Sequence, residues 1–406
     1  MISIEHPSIQ EAVANLGYGL LPVHFTCTDK FALIVKAPKE AILTARLNQS
    51  MKLYLVPDGS RESYLRGIIT AFFDDHDEPL VLFTPMYFGD QLQHDLAGAL
   101  SQDIFEVFFF DEHHREMMGV RVRMQNAARI RAALQRELFS DLDLDRIGKD
   151  LEAMGDWFGR RSSSDDEAAC HLQFEERLYP DDLVVIDASP EAYGFHGAKG
   201  SPAITSLERQ EPGGFQERDI VGLLRRAFPA NTIFLNPIRL DSGKEFADIL
   251  CLTDEVMLVV QAKDSPNTEA TLRRDIDRKR AVIRAHIGKA AQQLRGALSF
   301  AKGLDELKVS TTGVDHSLKI QGRATCGLVV VRELFDDDYR GCSSPVLAVS
   351  TECALPCVLA DFSALHMMTM HLKSPVRLMN GLLQVFKVGI ENGEFPKPRF
   401  LGPPAG

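Results

Sequence analysis

Two short apolar runs separated by a polar turn constrain the fold of this chain more than any other feature. The segment Lys244–Asp264 reads KEFADILCLTDEVMLVVQAKD. Its apolar runs, Phe246–Leu252 and Val256–Val260, lie on either side of the polar residues Thr253–Glu255. Apolar runs joined in this way are typical of adjacent antiparallel strands. The sequence therefore predicts a β-hairpin in the C-terminal half.

Three polar residues lie within or directly after these predicted strands. Asp248 interrupts the first apolar run, and Gln261 and Lys263 follow the second. Residues two apart in a strand point to the same face, so Gln261 and Lys263 share a face and Ala262 points away from it. An acid on one strand and an amide and an ammonium on its neighbour can converge on one metal ion and its water.

The segments around this hairpin predict an ordered series of elements. A helix is expected at Gln216–Phe228, a strand at Thr232–Leu240, a long helix after Lys263 and a buried strand at Gly327–Val331. Two further strands are expected at 346–349 and 357–359, and closing helices at 361–372 and 376–387. The order of the main elements is helix, three strands, long helix, strand.

Glu217 lies on or beside the apolar stripe of the first of these helices. A carboxylate in that position is costly unless it is paired or faces a site. The alternative is an exposed acid in the first turn, which the helix dipole favours. The sequence leaves both interpretations open.

The motif and the order of elements resemble the PD-(D/E)XK nuclease superfamily, in the variant in which Gln replaces the second acid, as in Mrr-like restriction endonucleases. The nuclease-related (NERD) domain is similar as well. The resemblance covers residues 206–332. It implies an α/β fold with a restriction-endonuclease-like αβββαβ core, and metal-dependent hydrolysis of DNA, with RNA as an open alternative.

The resemblance also implies roles for particular residues. Asp248, Gln261 and the backbone carbonyl of Ala262 would bind Mg²⁺ or Mn²⁺, and Lys263 would position the attacking water and stabilise charge on the phosphate. Glu217 would complete the site. Gln292 or Gln293 would be a polar helix residue near the site.

A separate mixed α/β domain is predicted for residues 1–158, as a recognition or partner-binding unit. A second copy of the chain or another protein is its expected partner. The polar stretch 159–170 is the predicted linker, and residues 171–400 the nuclease-like domain. The segment Asp111–Arg115, DEHHR, predicts a solvated hairpin turn. The expected N-terminal strands are 21–26, 31–36, 51–56, 67–73, 80–84, 104–110 and 117–124, and the expected helices 7–16, 39–47, 90–100, 127–138 and 144–158.

Composition indicates the cellular compartment in which such a protein is expected. No apolar run approaches the roughly 20 residues that span a bilayer, and no signal peptide is expected at the N-terminus. The seven cysteines are scattered, which favours a reducing compartment over a disulfide framework. A cytoplasmic protein without a membrane partner is expected, and the resemblance implies bacterial antiphage or restriction defence.

Charge is unevenly distributed over a chain whose formal net charge is −12. Basic residues dominate the long predicted helix, which suggests a surface that contacts nucleic-acid phosphates. A solvated helix face is the alternative. The candidate phosphate contacts are Arg273, Arg274, Arg278, Lys279, Arg280, Arg284 and Lys289.

Two further functional hypotheses remain open from the sequence. A catalytically inert nuclease fold would bind nucleic acid or protein without cutting. A soluble α/β interaction protein with a chance motif would have no salt-sensitive affinity for nucleic acid. The sequence contains no Walker loop, no GxSxG elbow and no HExxH zinc helix.

Overall fold

The computed structural model describes most of the 406-residue chain. The described residues are 1–59, 64–73, 79–86, 90–136, 138–139, 147–180, 183–187, 194–198, 203–208, 213–263, 267–335, 338–398 and 400. Within these ranges, the strands form sheets of nine, five, three and two strands. The protein is a mixed α/β structure.

A nine-stranded sheet organises the N-terminal half. Its spatial order is β1-β2-β6-β7-β9-β3-β4-β5, with β8 beside β4. Neighbouring strands are antiparallel except in the β2–β6 and β4–β8 pairs. The seven strands predicted between residues 21 and 124 are confirmed. The strands are β1 (Gly19–Phe25), β2 (Lys30–Lys36), β3 (Ser50–Pro57), β4 (Tyr64–Phe72), β5 (Leu80–Pro85), β6 (Ile104–Phe110), β7 (Glu116–Gln125), β8 (Leu138–Phe139) and β9 (Cys170–Arg177).

Both faces of this sheet are buried, because its central strands alternate between two apolar clusters. In β2, Leu33 and Val35 pack into the main N-terminal core, whereas Ala32 and Ile34 pack on the opposite side. Helices cover the sheet. They are α1 (Ile2–Glu5), α2 (Ser8–Asn15), α3 (Lys39–Asn48), α4 (Asp90–Ser101), α5 (Ala127–Arg136), α6 (Ile147–Gly159) and α7 (Ser163–Ala168).

The first sheet extends past the domain boundary that the sequence predicts. Strand β9 lies between β7 and β3 in the interior of the sheet, so residues 170–177 belong to the N-terminal half. The predicted linker contains α7, whose start is fixed by a capping box between Ser162 and Asp165. The polar residues of this stretch therefore include the cap of a helix.

A five-stranded sheet organises the C-terminal half, in the order β12-β14-β15-β18-β19. Strands β12, β14 and β15 are antiparallel, and β15, β18 and β19 are parallel. Its strands are β12 (Ile233–Leu235), β14 (Ile249–Leu252), β15 (Val256–Lys263), β18 (Ala324–Val331) and β19 (Cys357–Asp361). The smaller sheets consist of β10 (Val184–Asp187) with β11 (Ala203–Ser206), and of β13 (Ile238–Arg239), β16 (Glu306–Thr311) and β17 (Val314–Lys319).

Helices pack on both sides of the five-stranded sheet and share one apolar core with it. Helix α8 precedes β12. The long α10 lies between the parallel strands β15 and β18 in the chain, and α11 lies between β18 and β19, because parallel neighbours need a crossover connection. The helices are α8 (Gly213–Leu224), α9 (Glu269–Leu272), α10 (Ile276–Ala301), α11 (Tyr339–Cys353), α12 (Phe362–His371) and α13 (Pro375–Asn392). The observed order α8, β12, β14, β15, α10, β18 agrees with the predicted order of elements.

Two predicted strands of the C-terminal half are wrong. The strand expected at Thr232–Leu240 is broken into β12 and β13, because Asn236 adopts a left-handed backbone with φ of 49° and Pro237 has no N–H for a ladder. The apolar run Val346–Val349 lies inside α11, since four apolar residues do not distinguish a strand from a buried helix.

The predicted solvated turn at Asp111–Arg115 is also wrong. The side chains of Asp111 and Glu112 have no solvent exposure. Lys39 lies between them, with its Nζ 3.5 Å from an oxygen of each. The turn is polar because it holds a buried ion cluster rather than because it faces water.

Candidate functional site

The hairpin of β14 and β15 brings the predicted site residues together. Ile249 pairs with Val260, and continuing this antiparallel register by one residue sets Asp248 opposite Gln261. Directly opposed residues point to the same face of a sheet. Both side chains are buried, at 5% and 3% exposure. The face that carries them is the one that the spacing of Gln261 and Lys263 predicts.

Asp248 is held by the neighbouring strand. Its Oδ2 accepts hydrogen bonds from the Ala262 N–H at 2.6 Å and from Lys263 Nζ at 3.3 Å. Lys263 Nζ also donates to the Ala262 carbonyl at 2.9 Å. The ammonium therefore bridges two of the oxygens that the family resemblance assigns to a metal ion.

Gln261 offers an acceptor that none of the described residues uses. Its Oε1 is buried and has no hydrogen-bond partner among the described residues. A buried, unsatisfied amide oxygen is costly, and it marks a place where a ligand or water would be favourable. Together with the carboxylate of Asp248, it supplies the hard oxygen ligands that Mg²⁺ and Mn²⁺ prefer. The residues present fit such an ion.

Helix α8 closes one side of this arrangement. Buried Gln216 donates its Nε2 to the Lys263 carbonyl at 3.3 Å, and Glu217 Oε2 accepts from Asn236 Nδ2 at 3.0 Å. The helix begins at Gly213, so Glu217 lies beyond its first turn and the interpretation as an exposed first-turn acid is wrong.

The surroundings of the Glu217 carboxylate shift its pKa. Burial raises this pKa above its usual range, and the negative charge of Asp248 raises it further. The hydrogen bond from Asn236 and the charge of Lys263 act in the opposite direction. Glu217 therefore shares the electrostatic environment of Asp248 and Lys263.

Glu245 is a neighbouring acid that sequence reasoning missed. Although Glu245 is an exposed residue, desolvation of its carboxyl and the charges of Asp248 and Glu217 raise its pKa to about 7, and Lys263 opposes this shift. The alternation of a strand would put Glu245 and Asp248 on opposite faces. However, β14 begins only at Ile249, so that rule does not apply to the segment between them. The site thus has three acids around one lysine.

His286 is a second residue that the sequence did not single out. It lies on α10, where burial and the positive charges of Lys263 and Lys289 lower its pKa. Gln292 and Gln293 are exposed further along the same helix. Their role near the site stays a prediction.

Six of the seven candidate phosphate contacts, which lie on α10 or between α9 and α10, fall into two groups. Arg273 pairs with Glu269 at 2.8 Å, Arg280 with Asp277 at 3.4 Å, and Arg284 makes two bonds to Asp338, of 2.6 and 2.7 Å. Three of the seven candidate phosphate contacts are therefore bonded to acids. By contrast, the described part of the chain offers no ion pair to three others, which are Arg274, Arg278 and Lys289.

Comparisons with known proteins found no matching family model, no similar curated protein and no similar solved structure. Among the helices that the structure describes, none combines the length and apolar character needed to cross a bilayer.

Proposed function

We propose that the C-terminal half is a metal-dependent nuclease that hydrolyses phosphodiester bonds of DNA. The observation that carries this proposal is the buried Oε1 of Gln261, unsatisfied by the described residues, which lies on the same sheet face as Asp248 and Lys263. The order of elements from α8 to β18 supports it, because it is the order that the resemblance to PD-(D/E)XK nucleases implies.

Each residue has a task that follows from its contacts. Asp248 and Gln261 would hold the ion, with the Ala262 carbonyl as a further ligand. Lys263, now bonded to two of these oxygens, would turn its ammonium to the attacking water and to the developing charge on the phosphate. A bound Mg²⁺ or Mn²⁺ would act as a Lewis acid on the phosphate.

The acids beside the site have a second task. The usual motif has an acid where this chain has Gln261, so one negative charge is missing from the direct ligands. Glu217 and Glu245 supply negative charge nearby. Their carboxylates would offset the missing charge, and Glu245 can also accept a proton near neutral pH, since its pKa is about 7.

A second function is supported by a different observation. Lys263 Nζ pairs with the Asp248 carboxylate at 3.3 Å, so the same residues can form a closed ion pair in an inert fold. Arg278 and Lys289 on α10, to which the described residues offer no ion pair, would then hold nucleic acid without cutting it.

Cleavage assays distinguish the two functions. The substrates are supercoiled plasmid, linear duplex, single-stranded DNA and RNA, each with Mg²⁺, Mn²⁺ or EDTA. Asp248→Asn and Lys263→Met should abolish metal-dependent cutting. Matched controls are Asp241→Asn and Lys244→Met, which change exposed residues of the preceding turn and should cut normally.

Three outcomes of this assay lead to different conclusions. Metal-dependent cutting that is lost only in the two site variants supports the nuclease. Salt-sensitive binding without cutting under every metal supports the inert fold. Cutting that persists in Asp248→Asn and Lys263→Met would refute the assignment of the site.

A further inference from the structure

A buried ion cluster joins the N-terminal half to helix α8, away from the candidate nuclease site. Lys39 Nζ lies 2.8 Å from Asp219 Oδ2, and Arg115 Nη2 lies 3.2 Å from Asp219 Oδ1. Arg115 also bonds Asp111 at 2.8 Å through its Nε. Lys39 and Arg115 of the N-terminal half therefore both contact Asp219 of α8. Both also contact Asp111 of their own half.

Glu112, in the same cluster, is much less well satisfied. Its side chain has no solvent exposure, and neither carboxylate oxygen has a hydrogen-bond partner among the described residues. Its one ion pair in the part of the chain that the structure describes is the 3.5 Å contact with Lys39. Glu112 is thus a third carboxylate facing two cations that already bond the other two.

His113 presents a second unsatisfied atom to the same space. Its Nε2 is buried without a hydrogen-bond partner in the described residues, 3.6 Å from Asp219 Oδ1. One ligand atom each from Glu112, His113 and Asp219 lies within 4.8 Å of the others. A carboxylate, an imidazole nitrogen and a second carboxylate converge on one point.

We propose that Glu112, His113 and Asp219 form a metal site for a divalent first-row transition ion such as Zn²⁺. Imidazole with two carboxylates suits such an ion, whereas Mg²⁺ prefers oxygen ligands alone. Two ligands come from the turn after β6 and the third from α8, so the ion would join the two halves of the chain. This site is independent of the proposed nuclease.

The protonation states of the two turn residues are compatible with metal binding. Burial raises the pKa of Glu112, against the charges of Lys39 and Arg332. Burial and Arg115 hold the pKa of His113 well below its ordinary value, against the acids around it. The imidazole is therefore neutral and able to act as a ligand, and an ion would have to displace any proton that the Glu112 carboxyl carries.

Lys39 is the main competitor for this position, because its ammonium already contacts two of the three ligand residues. It approaches Asp219 through Oδ2, whereas His113 faces Oδ1. An ammonium has three N–H donors, and Lys39 already contacts Asp219, Asp111 and one oxygen of Glu112, so no donor is left for the second oxygen of Glu112 or for the imidazole lone pair. A metal ion can accept a lone pair from each of these two atoms.

Co²⁺ titration of the full chain after chelator treatment tests the proposal. Asp248→Ala is used as the background, so that the hairpin site cannot contribute. One equivalent of Co²⁺ should bind and produce the visible absorption bands of a site with a low coordination number. Zn²⁺ should displace the Co²⁺ and remove these bands. Adding Glu112→Gln or His113→Leu should lower the affinity at least tenfold.

The variants are chosen to separate ligand loss from misfolding. Glu112→Gln keeps the length and shape of the side chain while it removes the charge, and circular dichroism checks the fold of each variant. His114→Asn is the matched control, since it removes a histidine from the same turn and Asn tolerates its left-handed backbone, with φ of 65°. It should bind Co²⁺ normally.

Two results would overturn the proposal. The first is a folded Asp248→Ala protein that binds no Co²⁺ and no Zn²⁺. The second is binding that Glu112→Gln and His113→Leu leave unchanged. Neither result depends on nuclease activity, so this experiment tests the metal site separately from the proposed nuclease.

Discussion

Replacing Gln261 by Glu tests the candidate nuclease site through protein stability rather than activity. The new carboxylate would lie opposite Asp248 on the same face, and the two present side chains are 3% and 5% exposed. Directly opposed residues have Cβ atoms about 5 Å apart. At an effective dielectric constant of about 20, two like charges at that distance repel by about 3 kcal/mol. The attraction of Lys263, which lies 3.3 Å from Asp248, offsets part of this repulsion, so Gln261→Glu should lower the free energy of unfolding by at most about 3 kcal/mol without metal.

A bound divalent ion reverses the sign of this effect. The same carboxylate then lies beside two positive charges, so the variant should bind Mn²⁺ more tightly than the unmodified protein. An ion that binds only the folded state stabilises it in proportion to that affinity. Urea unfolding in EDTA and in a series of Mn²⁺ concentrations measures both effects. The loss of stability seen in EDTA should shrink or disappear as Mn²⁺ rises.

Gln261→Met is the matched control, because it keeps the length of the side chain but has neither charge nor amide. It should change stability little in EDTA and should weaken the stabilisation by Mn²⁺. If Gln261→Glu is destabilised equally with and without Mn²⁺, or is not destabilised at all, then Gln261 does not face Asp248 across a metal site and the reasoning fails.

Three further predictions concern charge. Burial lowers the pKa of Lys36 to about 7 in the folded state, against 10.5 ordinarily. The unfolded chain then binds more protons between these values. Stability should rise as pH increases from 7 towards 10.5, and the rise, up to a few kcal/mol, should be smaller in Lys36→Met, as pH-dependent urea unfolding would show. The pKa of Glu245 is raised from 4.5 to about 7, so its ionisation opposes folding as pH rises through this range. In the same assay, Glu245→Gln should lose less stability than the unmodified protein between pH 5 and 7, and an unchanged difference would contradict the proximity of the other acids. Replacing Arg278 and Lys289 by Gln should weaken duplex binding and reduce its salt dependence by about one released ion for each phosphate that the protein no longer neutralises. Arg284→Gln should have a smaller effect on the salt slope, because Arg284 already pairs with Asp338, and equal effects would refute the division of the basic residues into two groups.

The sequence predicted elements well where an apolar run forms a strand that is buried on both faces. The strands expected at 31–36 and 104–110 coincide with β2 and β6, whose alternate residues pack into two different apolar clusters. The hairpin of β14 and β15 was predictable for a different reason, since a polar turn separates two apolar runs. Both patterns are local, and both are set by the order of apolar and polar side chains along a few residues.

The failures share a physical cause as well. Strand β9 joins the first sheet between β7 and β3, a placement that depends on pairing across more than a hundred residues with β3. Glu245 approaches the site because the chain before β14 is irregular. The buried turn at Asp111–Arg115 contains the same residue types as a solvated turn. In each case a tertiary contact decides the outcome, and no local pattern carries that information.

Helix α8 explains why the two halves of this chain cannot be interpreted separately. One side of the helix bonds the hairpin, through Gln216 to the Lys263 carbonyl and through Glu217 to Asn236. Two residues further on, Asp219 bonds Lys39 and Arg115 of the N-terminal half. Removing the charge of Lys39 would take one cation from Asp219 and would leave Glu112 with no ion-pair partner in the described residues, which is costly for buried carboxylates. A substitution in the N-terminal half therefore acts directly on the helix that carries Glu217 to the candidate site.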